Sequence, residues 1–304
     1  MPFDFEIFDA HCDSLTRKGD DLGTFMGEFS VKGAEEYASF IQVAAIITDR
    51  VLHKPWERTC FHIEKIHNST GFNFIKCKED FDKKGVGIIL GIEGGESIEG
   101  DISRMEQLFN SGVRVFGLTW NTPGDISGTA VGGGGGLTPF GRQVVKEAER
   151  LGMVIDVSHI SEQGFYDVAI MAEKPFIASH SNSKALCNHP RNLTDDQFKA
   201  LVKAGGVAGV NYYTDFLGDY KGVDGIIAHI EHFMSLGGEE NIGIGADLDG
   251  GITLPDGIEG VKDHYKVLNA LLQRNYSEKQ VQNIAINNFK RVFFNILPEK
   301  CCIL

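Results

Sequence analysis

Eight short apolar runs alternate along this chain with amphipathic stretches, and five of the runs lead straight into imidazole or carboxylate side chains. The runs are Phe5–Ala10, Gln42–Thr48, Val86–Ile92, Val113–Thr119, Met153–Val157, Phe176–Ser179, Gly206–Asn211 and Ile242–Ala246. Each is too short for a helix, and its continuous apolar character suits a parallel strand buried on both faces. The stretches between them carry apolar residues at three- and four-residue spacings, as in Trp56–Asn68, Ile102–Asn110, Arg142–Leu151, Glu162–Ala172, Asp195–Ala204 and Val223–Leu236. Strand–helix alternation predicts a parallel sheet covered by helices. His11 and Asp13 follow the first run, Glu93 the third, His159 the fifth, His180 the sixth and Asp247 the eighth. An open doubly wound sheet gathers its site at one switch point. Residues of this kind after five strands, spread along the whole series, fit the C-terminal mouth of a closed (β/α)8 TIM-type barrel instead. Residues 1–304 therefore read as one α/β barrel domain, with extra C-terminal helices over Val261–Arg274 and Glu278–Ile296.

Charge argues against several classes of partner. The net charge is −13, with acids and bases mixed along the chain, so a basic stripe for nucleic acid is not expected. No apolar run approaches the roughly 18 residues of a membrane span, and Met1–His11 lacks the basic and long apolar regions of a secretory signal. These readings point to a cytoplasmic protein with no membrane partner. The six cysteines show no framework spacing, so reduced thiols are expected. The terminal Cys301-Cys302-Ile303-Leu304 fits a loose prenylation pattern with only Lys300 as basic support, and is read as a chance match. Gly132–Gly136 reads as a flexible loop, with part of a substrate lid as the functional alternative.

Imidazoles and carboxylates are the groups that hold divalent metals. In extended backbone His11 and Asp13 point to one side and Cys12 to the other. His159 and His180 end successive strands about 4.8 Å apart, so both can reach one ion. Glu93 has two oxygens and could bridge two ions. Two such ions about 3.5–4 Å apart can share and acidify a water, giving a bridging hydroxide that attacks a carbonyl carbon. Asp247 can then pass a proton to the leaving amine, with Asp249 on the same side as the fallback. His62, His67, His229, His232 and His264 fall in charged, helix-like segments; His229 and His232 in particular read as surface residues.

The same stretches resemble the membrane dipeptidase (renal dipeptidase) family of binuclear zinc peptidases, within the amidohydrolase-like barrels. The resemblance rests on Phe8–Asp13, Gly91–Gly95, Leu137–Gly141, Asp156–His159, Ser179–Ser181, Pro190–Leu193, Gly245–Gly250 and Asn288–Phe293, in family order over nearly the whole chain. It implies a zinc-dependent dipeptidase with two zinc ions, other divalent metals being able to stand in. His11 and Asp13 would hold one ion, His159 and His180 the other, and Glu93 would bridge them. It further implies that Arg191 meets the substrate's carboxylate, in keeping with its planar fork, and that Asp247 engages the amino end and the leaving nitrogen. Trp120 stands where many members carry a histidine that contacts the scissile carbonyl oxygen; an indole donates one hydrogen bond and does not titrate. The expected substrate is a small dipeptide, L-Xaa-D-Xaa among the candidates, and a homodimer is compatible with this reading. Trp120 keeps open a metal-dependent hydrolase of another small amide, a lactam or an N-acyl amino acid. A barrel that only binds a ligand is the reading from a different class, and the intact set of ligand residues speaks against it.

Overall fold

A computed structural model describes residues 3–16, 21–49 and 51–301. Its strands are β1 (Phe3–Cys12), β2 (Tyr37–Ile47), β3 (Asn73–Phe74), β4 (Val86–Glu93), β5 (Val113–Gly117), β6 (Val154–Asp156), β7 (Ile177–Ala178), β8 (Val207–Val210) and β9 (Ile242–Ile244). All pair in parallel, in the order β2-β1-β9-β8-β7-β6-β5-β4, and β2 pairs back onto β4 to close the ring. The closed barrel has the expected eight strands, and the open-sheet alternative falls away because β2 and β4 pair with each other. The ninth element, β3, is a two-residue strand that pairs with Gly87 and Ile88 of β4, before β5 joins that strand at Leu90. Its sequence, Asn73-Phe74, is too short for an alternation pattern to reveal.

Alternation within the strands separates two cores. Phe8, Ile41, Val43, Ile89, Val115, Val154, Ile177 and Val207 form an inner cluster. Ile7, Phe40, Ile46, Ile88, Leu90 and Phe116 join the larger cluster shared with the surrounding helices. The helix Asn288–Ile296 buries Phe289, Val292, Phe293 and Ile296 in the inner cluster. Phe8 meets two of these rings, at 5.4 Å for Phe289 and 5.0 Å for Phe293. Phe8→Ala would open a cavity between strand and helix that neither can relax to fill. We expect it to cost about 3–5 kcal/mol, read as a lower urea midpoint at unchanged slope.

The C-terminal segment begins as its sequence foretells. Ser277 and Gln280 cap each other reciprocally, as do Thr194 and Gln197 at the helix Asp195–Lys203. The expected single helix over Glu278–Ile296 is interrupted, however, by a π-turn at Asn283–Asn287. Among the described residues no helix is long and apolar enough to cross a membrane.

The expectation of reduced thiols is corrected at one pair. The chain end returns to the segment before β4, where Lys78 N donates to Pro298 O, and Cys77 and Cys301 form a disulfide. Their separation of 224 residues hides this proximity from any spacing argument. Cys302, Ile303 and Leu304 of the terminal pattern lie outside the described residues.

Candidate metal centre and active site

The barrel delivers every expected metal-binding residue to one mouth. His11 is the penultimate residue of β1 and Glu93 the last of β4. His159 follows β6 and His180 follows β7, the two strands being neighbours. Asp247 follows β9, which lies beside β1. Backbone hydrogen bonds from Asp247 N to His11 O (3.2 Å) and from Asp13 N to Leu248 O (2.9 Å) bind those two strand ends together. His159 and Asp247 both adopt left-handed backbone, with φ of 71° and 63°. A non-glycine residue there stores strain that the surrounding structure must hold, as functional residues often do. Close packing against β8 and the end of β9 fixes the approach to His180. A Cβ on Gly245 or Gly209 would collide with Ser179 O, so the strand leading to His180 has room only because both are glycine.

The side chains converge on Glu93. Its Oε1 lies 2.8 Å from His159 Nε2, 3.4 Å from His180 Nε2 and 3.6 Å from His11 Nε2. His11 Nε2 is also 3.6 Å from Asp13 Oδ1 and 3.9 Å from Asp247 Oδ1. His159 and His180 face each other Nε2 to Nε2 at 3.0 Å. Two imidazoles sharing one ion stand about 3–3.4 Å apart when each metal–nitrogen bond is near 2.0–2.1 Å. His11 Nε2, Asp13 Oδ1 and Glu93 Oε2 are buried without a hydrogen-bond partner. Buried polar atoms are normally satisfied, and three orphaned donor atoms of ligand type in one pocket call for a cation. The donor set therefore fits a divalent metal centre.

Electrostatics supports the same conclusion. Burial, reinforced by Arg191, lowers His159 to about 4, and burial with the neighbouring His11 lowers His180 well below its ordinary value. Both imidazoles are thereby held neutral, the form that binds a metal. Burial disfavours the charged Glu93, yet the His11 charge and hydrogen bonding from the surrounding imidazoles outweigh it and hold this carboxylate well below the usual range. His11 is raised, because Glu93 and Asp13 overcome the cost of burial. Asp13 is pushed up to about 6 by burial and Glu93, and Asp247 to about 7 by burial and by the Asp13 and Glu93 carboxylates. Crowded carboxylates of this kind are relieved by a cation between them.

A ring of supporting residues orients these groups. Asn121 Oδ1 lies 2.9 Å from His159 Nδ1. Ser179 Oγ lies 2.7 Å from His180 Nδ1 and donates to Asp156 Oδ2 at 2.5 Å. Asn211 Nδ2 donates to Asp247 Oδ2 at 2.9 Å. Asp9 Oδ1 accepts from the backbone of both His11 and Ala246. Such contacts fix imidazole tautomers and carboxylate orientations. Sequence reasoning assigned no role to Asn121, Asn211 or Asp9, since an Asn or Asp at a strand end has many ordinary uses.

Two sequence expectations need correction. Asp249 does not share the face of Asp247; its carboxylate accepts from Ser14 Oγ, Glu28 N and Phe29 N. Left-handed backbone at both Asp247 and Asp249 breaks the simple alternation that placed them together. His229 is fully buried rather than solvated, its Nδ1 accepting from Ser183 N at 3.0 Å. His264 is buried as well, 3.4 Å from Asp9 Oδ2 and 3.1 Å from Tyr212 Oη. His232 remains partly exposed beside Asp195.

The mouth is a cavity of about 270 Å³, lined by Asp13, Glu93, His159 and Asp247 together with Trp120, Val131 and Arg191. Arg191 is buried, and its Nη2 reaches His180 Nε2 at 2.8 Å. The segment carrying it is fixed by Leu193 N donating to Asn182 O and Lys184 N to Leu193 O. Trp120 follows β5, half-buried, with its ring 6.2 Å from that of His159. The glycine-rich segment is tied back by Thr129–Gly133 pairing and by Ser161 Oγ donating to Gly135 O, while Val131 projects at the mouth.

Comparison with known proteins agrees with this geometry. The sequence profile of the membrane dipeptidase family (peptidase family M19) matches residues 40–297. His11 and Asp13 precede that stretch, so their place in the centre rests on the structure. An uncharacterised protein of Klebsiella pneumoniae, named for the pqqA 5′ region, is 35% identical over 238 residues, 74% of this chain and 86% of that protein. An uncharacterised dipeptidase of Schizosaccharomyces pombe is 32% identical over 235 residues, 72% of this chain; the matched part spans 56% of that relative's length. A metallopeptidase from Rhodobacter sphaeroides, solved with a phosphinate mimic of the dipeptide L-Ala-D-Ala, superposes with a TM-score of 0.84 over 96% of this chain and 99% of that one. At 24% identity that likeness is one of fold. The chain belongs to the membrane dipeptidase family of metallopeptidases, hydrolases of the peptide bond.

Proposed function

We propose that the protein is a dinuclear, zinc-dependent dipeptidase. The observation that carries this reading is the group of buried, unpartnered ligand atoms on His11, Asp13 and Glu93, set in a small mouth that also presents the Arg191 guanidinium. His11 and Asp13 would hold one ion and His159 and His180 the other, with Glu93 between them. When bound, such ions supply an acidified water and polarise the scissile carbonyl.

The chain's own residues then do the rest. Arg191 takes the free carboxylate of the substrate through its planar fork. Trp120 lines the mouth beside His159, where its indole N–H is a donor available to the scissile carbonyl oxygen. Asp247, pinned through Oδ2 by Asn211, keeps Oδ1 turned to the centre, where it receives the amino end and passes a proton to the leaving nitrogen. The L-Ala-D-Ala mimic held by the Rhodobacter relative makes L,D-dipeptides substrates to test beside L,L-dipeptides. Trp120 also admits an N-acyl amino acid as substrate, which would keep the carboxylate and lack the ammonium.

The test is a comparison of substrates. Arg191→Ala should raise KM for free dipeptides about 10–100-fold, the scale of a lost charged hydrogen bond of 1.5–3 kcal/mol. C-terminally amidated dipeptides should be far less affected. Equal effects on both would remove Arg191 from this role. Faster hydrolysis of N-acetylated than of free-amine substrates would favour the N-acyl reading.

A further inference from the structure

Outside the metal centre the mouth carries one carboxylate close to its one guanidinium, and this pairing names a substrate class within the dipeptidase reading, on which this inference rests. Arg191 stands beside Phe216, its guanidinium carbon 5.7 Å from the ring. His189 and Tyr213 flank the same ring, at 4.5 Å and 4.9 Å. Asp215 completes this side, exposed, with Oδ2 accepting from Tyr213 Oη at 2.6 Å. The rest of the lining outside the metal centre is Ile47, Trp120, Asn121, Val131, Gly250 and Ile252, none of them charged. Apart from the carboxylates of the metal centre, Asp215 is the acidic residue among the described residues lining the mouth, and Arg191 the basic one.

A dipeptide's C-terminal side chain branches from the carbon that bears the carboxylate. With that carboxylate on Arg191, the side chain starts on the Phe216 side. A lysine stem can lie along the Phe216 and Tyr213 rings while its ammonium reaches Asp215. Asp215 can serve it because a carboxylate has acceptor sites beyond one hydroxyl. A C-terminal glutamate would meet like charge at the same place. Beyond Arg191, Asp215 and the metal centre, the described lining offers no charge for the N-terminal side chain to pair with. We infer that Asp215 makes the enzyme read residue order, favouring dipeptides with an apolar first residue and a basic second residue.

The experiment uses Leu-Lys, Lys-Leu, Leu-Glu and Leu-Leu, with the C-terminal residue in either configuration, on the zinc-loaded enzyme. Leu-Lys and Lys-Leu have the same composition, so only order distinguishes them. We expect kcat/KM for Leu-Lys to exceed that for Lys-Leu and Leu-Glu about fivefold, the upper range for an exposed ion pair. High salt should narrow the gap. Asp215→Asn should bring the ratios close to one, and Asp215→Lys should place Leu-Glu above Leu-Lys. Hydrolysis of Leu-Leu with no order preference, or a preference that survives Asp215→Asn, overturns this inference and leaves the dipeptidase reading standing. Inertness toward all four substrates overturns both.

Discussion

Glu93→Gln is expected to abolish hydrolysis, lowering kcat by at least about 10³-fold, and to strip metal from the protein. Glutamine keeps the volume of the buried side chain and removes the charge that three imidazoles surround. The wild-type chain, purified without chelator, should carry about two equivalents of divalent metal, the number suited to two facing ligand pairs. The variant should carry one or none, because the carboxylate common to both pairs is gone. Loss of charge stabilisation worth several kcal/mol accounts for the rate. Elemental analysis beside a dipeptide assay checks both halves. A Gln variant that retains metal and activity would show that Glu93 is a structural acid.

Asp247→Asn is expected to lower kcat by about 10²–10⁴, the range for a lost proton-transfer group, while metal content stays at the wild-type level. The substitution keeps the shape that Asn211 holds and removes the base. The geometry makes this test sharp, because Asp247 also lies close enough to His11 and Asp13 to act as a ligand. Loss of one metal equivalent on substitution would assign it to the metal centre instead. Near-normal kcat would remove it from the mechanism. Asp249 could not then take its place, since Ser14 and two backbone amides hold that carboxylate away from the mouth.

Local physics made the barrel legible in the sequence. Continuous apolar runs of strand length, separated by amphipathic helices, admit few arrangements, and eight of them in parallel close on themselves. Each ligand candidate was legible for the same reason, because a residue just past a strand end reaches the C-terminal mouth wherever its strand stands in the ring. His11, Asp13, Glu93, His159, His180 and Asp247 were placed on that basis, and all converge within one pocket. A capping box is equally local, and Ser277 with Gln280 formed as its spacing required.

What escaped the sequence depends on contacts between distant segments or on single backbone angles. His229 reads as a surface residue from its charged neighbours, and only the packing of its helix against the Ser183 segment buries it. Asp247 and Asp249 share a face in ideal extended chain; left-handed angles at both separate them. Cys77 and Cys301 meet because the last helix carries the chain end back to the segment preceding β4. Asn121 and Asn211 acquire roles only through the imidazole and carboxylate that the barrel brings beside them. The sequence by itself determined the strands, their parallel closure and the residue types at the mouth, because periodicity and strand direction are properties of short segments. Only the tertiary structure decided which polar atoms are left unpartnered and which neighbours orient them, because those depend on distances between residues far apart in the chain.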